Sequence, residues 1–309
     1  MRTGAGSSTT VKDFAPAKIN LYLHVLGRRA EGYHLLDSLI AFADIGDEVT
    51  AAPADTLSLT VGGPEAEAIA ELGDDNLVMR AARLLAARAG ISAGAALHLD
   101  KRLPAAAGIG GGSSDAAATL RALSRLWNHP LDEQSLTALA LELGADVPAC
   151  LAGRPVWVGG IGEALEPAGA LPPAGIVLAN PRRPLPTAAV FQRRSGPFSA
   201  PGRFNQMPTD AAGLAVVLEA RRNDLTEAAQ ALVPEIGIVL EYLAALPGAL
   251  IARMSGSGAT CFALFADRAA AFAAGQALAM VEPDWWSAAG ALLPEPLPVA
   301  EISVPSDRR

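Results

Sequence analysis

The chain has 309 residues, with 24 Lys and Arg against 32 Asp and Glu, and therefore a formal net charge of −8. Its residues are 51% hydrophobic and 18% charged, a composition that fills a core and excludes a globally disordered protein. Nucleic acids and anionic membranes are bound largely through concentrated positive charge. This acidic chain has no long Lys or Arg run, so we predict that neither nucleic acids nor anionic membranes are its main partners.

The N-terminus predicts a tail and no targeting segment. Residues 1–12 are mostly small and polar, and we expect them to form a disordered tail. Gly, Pro or charged residues interrupt every apolar stretch before it is long enough to span a bilayer. The two cysteines, Cys150 and Cys261, lie far apart in apolar segments, which is typical of buried thiols in a reducing compartment. These features predict a cytoplasmic protein.

The first predicted element is a strand. In KINLYLHV, apolar residues occupy every second position from Ile19 to Val25, which is the period of a half-buried strand. Lys18 and Asn20 therefore share one face of this strand. Further strands are predicted over 36–44, 47–52, 56–61 and 94–100.

Helices are interleaved with these strands. A first helix is predicted over 77–89, with Asn76 as its N-cap and Gly90 as the residue that ends it. Two more are predicted over 113–127 and 133–143, and another begins after Asp146 with a proline in its first turn.

Beyond residue 153 the pattern changes. Gly and Pro are frequent over 153–186, and there we place a boundary between a domain over 13–172 and a second domain over 173–309. The second domain is predicted to contain a short helix over 187–193, a mobile surface loop over 195–210, helices over 224–246, strands over 249–254 and 260–265, a helix over 267–280 and a strand over 285–292. This mixture of helices and short strands is typical of an α+β fold.

A glycine-rich loop carries the strongest chemical signal. The segment PAAAGIGGGSSD, from Pro104 to Asp115, places four glycines directly before a predicted helix. Glycines allow positive φ and let successive N–H groups form one concavity, and the positive end of a helix dipole behind them favours phosphate. The segment lacks the GxxxxGK[ST] pattern, and Ser113 stands where GxGxxG needs its last glycine. The alternative is a flexible loop whose serines cap the helix.

Three segments together resemble a known family. PAAAGIGGGSSD is similar to the second motif of the GHMP kinase superfamily of small-molecule kinases, whose usual form is close to PxGAGLGGGSSD. Ala106 and Ile109 depart from that form, and only Ala106 could alter how the loop approaches a phosphate. PAKINLYL at 16–23 and MSGSGATCFALF at 254–265 resemble the first and third motifs. Residues 255–259 of the third motif could form a tight hairpin or a second glycine-rich wall beside the phosphate loop, and the resemblance implies the wall.

The resemblance implies a two-lobed α+β fold. Its N-terminal lobe would resemble domain 2 of ribosomal protein S5, its C-terminal lobe would be ferredoxin-like, and the active site would lie between them. ATP would be the phosphoryl donor, with Mg²⁺ bridging its phosphates; the metal ligands are not predicted. The implied ATP-binding residues are Pro104, Ala105, Ala106, Ala107, Gly108, Ile109, Gly110, Gly111, Gly112, Ser113 and Ser114.

Three further segments resemble one branch of this superfamily. They are EGYH at 31–34, LGADVP at 143–148 and TAAVF at 187–191. In that branch the acceptor is a methylerythritol that carries a cytidine diphosphate. The resemblance runs from about Phe14 to the last strand, and it implies phosphorylation of the 2-hydroxyl of this alcohol in the non-mevalonate synthesis of isopentenyl diphosphate.

The catalytic pair implied by the resemblance is Lys18 and Asp146. A carboxylate can accept or orient the proton of the acceptor hydroxyl, and an ammonium can stabilise charge on the reacting oxygen. The plainer readings are a solvated strand lysine and a helix N-cap. A Lys and Asp pair would also favour the ionised carboxylate by Coulombic attraction.

The implied substrate residues are mostly aromatic or polar. Tyr33 and Phe191 would stack on the two faces of the cytosine, and His34 would pair with its edge. Thr187 lies four residues before Phe191, so one helical face can present both. Asn20 would bind the polyol or a phosphate. For Phe191, a position in the core is an equally good alternative.

Two other functions remain open from the sequence. One is another small-alcohol kinase of the superfamily, of the homoserine or mevalonate type, whose substrate carries no base for aromatic residues to stack on. The other is a nucleotide-binding regulator that keeps the loop without turnover, against which the presence of both Lys18 and Asp146 argues. The oligomeric state is not predicted.

Overall fold

The structure, a computed structural model, describes residues 9–129, 131–296 and 300–303 and contains two β-sheets with helices packed on them. The first half of the chain comprises the strands β1 (Thr9–Arg28), β2 (His34–Ala54), β3 (Ser58–Gly62), β4 (Gly94–Asp100), β5 (Val156–Gly159) and β6 (Ala164–Pro167). Its helices are α1 (Leu77–Ala89), α2 (Gly111–Leu126), α3 (Glu133–Leu143) and α4 (Val147–Ala152), preceded by a 3-10 helix over Glu67–Asp75.

The second half comprises the strands β7 (Gly175–Asn180), β8 (Ile251–Met254), β9 (Cys261–Phe265), β10 (Trp286–Ala291) and β11 (Ala300–Ser303). Its helices are α5 (Thr187–Arg193), α6 (Ala211–Glu219), α7 (Thr226–Leu232), α8 (Glu235–Ala245) and α9 (Arg268–Val281).

The first sheet is organised around a long antiparallel hairpin of β1 and β2. Its order is β11-β1-β2-β4-β3, with β5 and β6 added on β2, and β3 is parallel to β4. The pairing of β1 with β2 shifts register between Asn20 and Tyr22, which marks a β-bulge. On the other side of β1, the N–H of Lys18 donates to the carbonyl of Ile109 and that of Leu23 to Arg222. Strand β1 therefore lies between its sheet and the glycine-rich loop.

The second sheet has the strand order β10-β7-β9-β8 with antiparallel neighbours. Helices α5 to α8 connect β7 to β8, and α9 connects β9 to β10. Numbered within the lobe, this order is 4-1-3-2, the arrangement of a ferredoxin-like βαββαβ sheet. The predicted α+β fold with a ferredoxin-like second lobe is confirmed.

The two lobes share part of their apolar core. Ile19 and Leu21 of β1 pack in the same buried cluster as Leu178, Phe262 and Trp286 of the second lobe. Burial of this cluster stabilises the contact between the sheets, because apolar area removed from water is the main favourable term in folding. In the described ranges, no helix combines the length and apolar character needed to cross a membrane.

Some sequence predictions about the elements differ from the structure. Residues 9–12, assigned to a disordered tail, belong to β1, where Thr9–Lys12 pair with β11; the other predicted tail residues lie outside the described range. Because β11 joins the first sheet, residues 300–303 do not belong to the second lobe's sheet, although they fall in the predicted domain 173–309. The predicted strands 36–44 and 47–52 are one strand, β2, and helix α6 was not predicted.

The predicted loop over 195–210 contains no helix or strand, as expected, but it is tied to the hairpin. The N–H of Ser199 donates to the carbonyl of Val25, and the N–H of Gly202 donates to the buried carboxylate of Asp37 at 2.5 Å. These contacts fix the segment against β1 and β2.

Candidate active site

The glycine-rich loop is shaped by close approaches that exclude side chains. Gly108 has φ +75°, and a Cβ there would lie 2.5 Å from the carbonyl oxygen of Gly258. Gly110 has φ +65°, and a Cβ there would lie 3.0 Å from Cβ of Lys18. The distance at Gly108 is one that real Cβ atoms almost never show, and the distance at Gly110 is tight enough that the Lys18 side chain would have to shift. Together with the left-handed backbone, these contacts favour glycine at both positions.

Other segments hold the loop through its carbonyl groups. The carbonyl of Ala107 accepts from the N–H of Thr260 at 3.1 Å, and that of Ile109 accepts from Lys18 at 2.9 Å. The Ser255 hydroxyl donates to the carbonyl of Gly108 at 3.2 Å. These bonds fix the conformation in which the loop meets the positive end of α2.

Helix α2 begins differently from the prediction. It starts at Gly111, with Gly110 in the N-cap position, rather than at Ser113. Neither serine caps the helix through its side chain; the Ser114 hydroxyl instead donates to the carbonyl of Pro16 at 2.7 Å. The helix start lies deeper in the loop because Gly110 adopts the left-handed conformation that turns the chain into α2.

Lys18 and Asp146 meet in one place although 128 positions separate them. Lys18 Nζ lies 3.0 Å from Oδ2 of Asp146, with 6% of the lysine side chain exposed and 49% of the aspartate side chain exposed. Asp146 stands at the N-cap of α4 but makes no side-chain capping bond there. The alternative role as a helix cap is therefore not used, and the carboxylate is free to face Lys18.

A chain of hydrogen bonds extends from this pair along β1. Lys18 Nζ donates to Oδ1 of Asn20 at 3.1 Å, and Nδ2 of Asn20 donates to the Ser38 hydroxyl at 2.8 Å. The Ser38 hydroxyl in turn donates to the carbonyl of Tyr22 at 2.5 Å. Since Ser38 accepts from one atom of the amide, the amide oxygen is directed at the ammonium.

These groups line one cleft between the lobes, with a volume of about 520 Å³. Its lining includes predicted site residues from four segments, namely Lys18, Asn20, Ala106, Ala107, Gly108, Gly110, Gly111, Gly112, Ser113, Asp146, Thr187 and Phe191. A cleft of this size suits a small-molecule ligand.

The remaining predicted loop residues lie beside the cleft. The side chains of Pro104, Ile109 and Ser114 are buried, and Ala105 is exposed without lining the cleft. Ala106, which stands where the family form has glycine, adopts φ +50°. The loop thus keeps at Ala106 the left-handed backbone that favours glycine.

The predicted base-binding residues are only partly assembled. Thr187 and Phe191 line the cleft, and the Thr187 hydroxyl lies 2.8 Å from that of Ser257. The His34 ring stacks on Phe191 with centroids 5.3 Å apart and an interplanar angle of 29°. Tyr33 is 61% exposed, and neither it nor His34 belongs to the described lining of the cleft. The structure brings His34 to Phe191 without forming a two-sided aromatic slot.

Partial burial, together with Arg28 and Arg194, lowers the pKa of His34 below its ordinary value. A neutral imidazole offers one donor and one acceptor, whereas the charged ring offers two donors. At neutral pH His34 therefore presents both kinds of hydrogen-bonding atom.

Sequence reasoning missed Ser38 as part of this site. It lies in the middle of β2, and no motif surrounds it; only the pairing of β1 with β2 places it beside Asn20. Gly256 and Ser257 line the cleft, and the flanking strands β8 and β9 pair antiparallel. The segment over 255–259 is therefore both the loop of a hairpin and a second wall of the cleft.

The described residues contain no group of three or more His, Cys, Asp or Glu side chains that could hold a metal ion. Asp146 is the one carboxylate in the described lining of the cleft. Mg²⁺ is commonly held by one or two carboxylates together with substrate phosphates, so this donor set suits an ion that arrives with a nucleotide and does not suit a resident metal centre.

Family models match both lobes. The model described as GHMP kinases N terminal domain matches residues 76–154, and the one described as GHMP kinases C terminal matches residues 211–281. A protein of Paramagnetospirillum magneticum named 4-diphosphocytidyl-2-C-methyl-D-erythritol kinase is 55% identical over 279 residues, which cover 90% of this chain and 97% of that protein. A Rhodospirillum rubrum protein of the same name is 53% identical over 287 residues, covering 93% and 94%.

Solved structures agree with these relatives. A crystal structure of 4-(cytidine 5'-diphospho)-2C-methyl-D-erythritol kinase matches with a TM-score of 0.75 at 37% identity, covering 91% of this chain and 98% of that one. Homoserine kinase from Cytophaga hutchinsonii matches with a TM-score of 0.68 at 18% identity, covering 98% and 99%. The second likeness shows a common fold alone.

Proposed function

The chain belongs to the 4-diphosphocytidyl-2-C-methyl-D-erythritol kinases, a family of GHMP kinases, and we propose that Lys18 and Asp146 carry out the phosphoryl transfer in its cleft. It phosphorylates 4-diphosphocytidyl-2-C-methyl-D-erythritol from ATP, a step of isoprenoid precursor biosynthesis. The homoserine-type, mevalonate-type and regulatory alternatives are not favoured, because relatives at this identity carry the cytidine-linked name.

The observation that supports the catalytic proposal is the distance of 3.0 Å between Lys18 Nζ and Oδ2 of Asp146. Asp146 accepts or orients the proton of the 2-hydroxyl, which makes that oxygen a better nucleophile toward the γ-phosphorus. Lys18 stabilises the negative charge that develops on the attacking oxygen and on the phosphoryl group. Asn20 and Asp146 take two of the three donors of the ammonium, and among the residues that the structure describes no other side chain takes the third, which can therefore reach the reactants.

The proposed ATP site is the loop from Pro104 to Ser114. Its glycines allow close approach, and the positive end of α2 lies behind them, so the triphosphate is attracted there. Mg²⁺ supplies charge neutralisation on the phosphates when bound. The side chains of Pro104, Ile109 and Ser114 face inward, so these three residues contribute through the backbone.

The proposed cytidine site lies where Phe191, which lines the cleft, meets His34. His34 already stacks on Phe191, and a planar base competes for the same aromatic face. Tyr33 closes over the other face of the base, and His34 pairs with its edge. Thr187 and Asn20 bind the polyol and the diphosphate. This assignment rests on the motif resemblance and on the contact of His34 with Phe191, which lines the cleft.

Three coarser predictions stay proposals. We retain a division into lobes near residues 172 and 173, with the last described strand returned to the first sheet. The cytoplasmic location and the lack of nucleic-acid or membrane partners rest on the sequence and its acidic charge alone.

The direct test measures ADP release from Mg-ATP by the purified chain with two alcohols. One is 4-diphosphocytidyl-2-C-methyl-D-erythritol, and the other is the same polyol 4-phosphate without cytidine. We expect turnover with the first alone and a loss of kcat of roughly 10²- to 10⁴-fold in Asp146→Asn. Equal turnover of both alcohols would reject the cytidine site, and an active Asp146→Asn would reject the proposed base.

A further inference from the structure

Three charged side chains form a buried cluster behind the glycine-rich loop. Lys101 Nζ lies 2.5 Å from Oδ2 of Asp47 and 2.7 Å from Oδ2 of Asp115. No more than 4% of any of the three side chains is exposed. Burial alone would lower the pKa of Lys101, but the two carboxyl groups raise it above its ordinary value. Lys101 is therefore an ammonium ion.

The cluster is attached to both ends of the loop. Oδ1 of Asp47 accepts from the N–H groups of Arg102 at 2.6 Å and Leu103 at 2.8 Å, the two residues before the loop starts. Asp115 lies in the first turns of α2, directly after the loop. A Cβ at Gly111 would lie 3.2 Å from Lys101 Nζ, so the ammonium sits beneath the start of that helix. One buried group thus ties the entry of the loop to its exit.

The charges of the cluster do not balance unless a proton is present. Two carboxyl groups share one ammonium. The charged groups that face Asp115 are Asp47 from β2 and Lys101 from the segment after β4, and both belong to the cluster. An unpaired buried charge is strongly unfavourable. Asp47 uses both of its oxygens as acceptors, whereas Oδ1 of Asp115 has no hydrogen-bond partner in the described part of the chain.

Asp115 is therefore the member that can hold the balancing proton. Burial and the nearby Asp47 carboxylate raise the pKa of Asp115 to about 8, against the opposing effect of Lys101. With that proton in place, the cluster is neutral at pH 7. A neutral support avoids placing a net negative charge beneath the phosphates that the loop binds.

We propose that Asp47, Lys101 and Asp115 are positioning residues that hold the loop in its phosphate-binding conformation, with Asp115 as a neutral carboxylic acid. The inference rests on the proposed function only in assigning residues 104–114 to ATP. The cluster touches neither ATP nor the alcohol; it acts through the backbone at Arg102 and Leu103 and through the first turn of α2.

The test compares three variants of the full-length chain by their Kd for Mg-ATP and their KM for each substrate. Asn at position 47 cannot accept from Lys101 and from both backbone N–H groups, because its amide nitrogen is a donor. We expect Asp47→Asn to raise the Kd and KM for ATP by about tenfold or more, with the KM for the alcohol close to the parental value. Asp115→Asn keeps a neutral side chain and should raise the Kd and KM for ATP much less. Lys12→Met, which removes an exposed ion pair with Glu48 on the same hairpin, is the matched control and should change none.

Either of two binding results would overturn the inference. A folded Asp47→Asn variant with the parental Kd for Mg-ATP would contradict the positioning role. An equal rise in this Kd in Asp115→Asn and Asp47→Asn would contradict the protonation of Asp115. If Asp47→Asn does not fold, Lys101→Arg replaces it, because this variant keeps the positive charge but changes its contacts with Asp47 and Asp115. The same rise in the Kd for Mg-ATP is expected. A parent chain without turnover would contradict the proposed function and leave this test intact, because ATP binding is measured without turnover.

The proton has a readout that needs no substrate. Infrared spectra of the parent at pH 6.5 should show the C=O stretch of a buried carboxylic acid. That band should be absent from Asp115→Asn and should fade in the parent as the pH rises through about 8. A parent spectrum without the band would overturn the assignment of the proton to Asp115.

Discussion

Lys18 Nζ contacts the Asp146 carboxylate from a buried position, at 3.0 Å from Oδ2, while the carboxylate itself is half exposed to the cleft. The asymmetry has a functional consequence. Strand β1 fixes the ammonium, and the mouth of the cleft leaves one face of the carboxylate open to an incoming hydroxyl. A pair with this geometry can receive a substrate without first breaking, because the alcohol approaches the exposed side.

Replacing the lysine tests this arrangement. Lys18→Met keeps the length of the side chain and removes the charge. We expect kcat to fall by roughly 10²- to 10³-fold, the effect typical of removing one group that stabilises transition-state charge, with little change in the KM for ATP. Steady-state kinetics check it. Lys12→Met, on the same strand but only partly buried and outside the cleft, is the control. A Lys18→Met variant that keeps parental kcat would mean that the ammonium serves the fold only.

Ser38 should matter for catalysis through its hydrogen bond with Asn20. Its hydroxyl accepts from Asn20 and donates to Tyr22, so its removal lets the Asn20 amide turn its oxygen away from Lys18. We expect Ser38→Ala to lower kcat about fivefold, since loss of one hydrogen bond of this kind is worth about 1 kcal/mol. Both kcat and the free energy of unfolding are measured for each variant, so that a loss of kcat can be separated from a loss of stability.

Ser124 provides the matched control for Ser38. Its hydroxyl lies in α2 and has no hydrogen-bond partner among the residues that the structure describes. Ser124→Ala should therefore leave kcat unchanged and should not destabilise the chain. Equal losses of kcat in the two variants would contradict a specific role for Ser38.

The fold was predictable where local chemistry decides it. Asn76 caps α1 through its side-chain oxygen and Gly90 ends it with φ +65°, as their residue types predicted. Helix α6 was not predicted because AAGLAVVLE is apolar on all sides and shows no helical period. The continuity of β2 and the pairing of β11 with β1 depend on partners far away in sequence, which no local pattern contains.

The site shows the same division. Lys18 and Asp146 were predicted from short motifs, and the structure brings them together in the cleft. The role of Ser38 depends on the register of two strands, and the cluster around Lys101 depends on three segments meeting behind the loop. Such contacts are invisible in sequence because no spacing rule links the residues.

Two glycines of the loop should respond differently to alanine. A Cβ at Gly110 would lie 3.0 Å and 3.1 Å from Cβ and Cε of Lys18, at φ +65°, whereas at Gly112 it would lie 3.4 Å from a methyl group of Leu77. Gly110→Ala should therefore displace Lys18 and lower kcat by at least tenfold, as misplacement of a reacting group does. Gly112→Ala should have a much smaller effect. The ratio of the two kcat values is the measurement, and a ratio near one would contradict the contact.

Substrate binding should respond to pH through His34. The pKa of His34 is lowered by partial burial and by Arg28 and Arg194, so the charged ring forms only below the ordinary value of about 6.5. We expect the KM for the cytidine-bearing alcohol to be constant between pH 7 and 8 and to change as the pH falls below about 6.5. His34→Gln should lose that change. A transition above pH 7 in the parent that His34→Gln removes would contradict the neutral imidazole.

Ala106 should make the protein less stable than glycine would at the same position. Its φ of +50° lies in the left-handed region, where a Cβ is unfavourable by about 1–2 kcal/mol, while glycine loses about 0.5–1 kcal/mol more backbone entropy on folding. The difference predicts that Ala106→Gly raises the free energy of unfolding by up to about 1 kcal/mol. The neighbouring Ala105 is also exposed and lacks positive φ, so Ala105→Gly should be destabilising. Urea unfolding measures the change in the free energy of unfolding for both variants. Changes of opposite sign support strain at Ala106, whereas equal destabilisation of both variants would show that alanine is not strained at position 106.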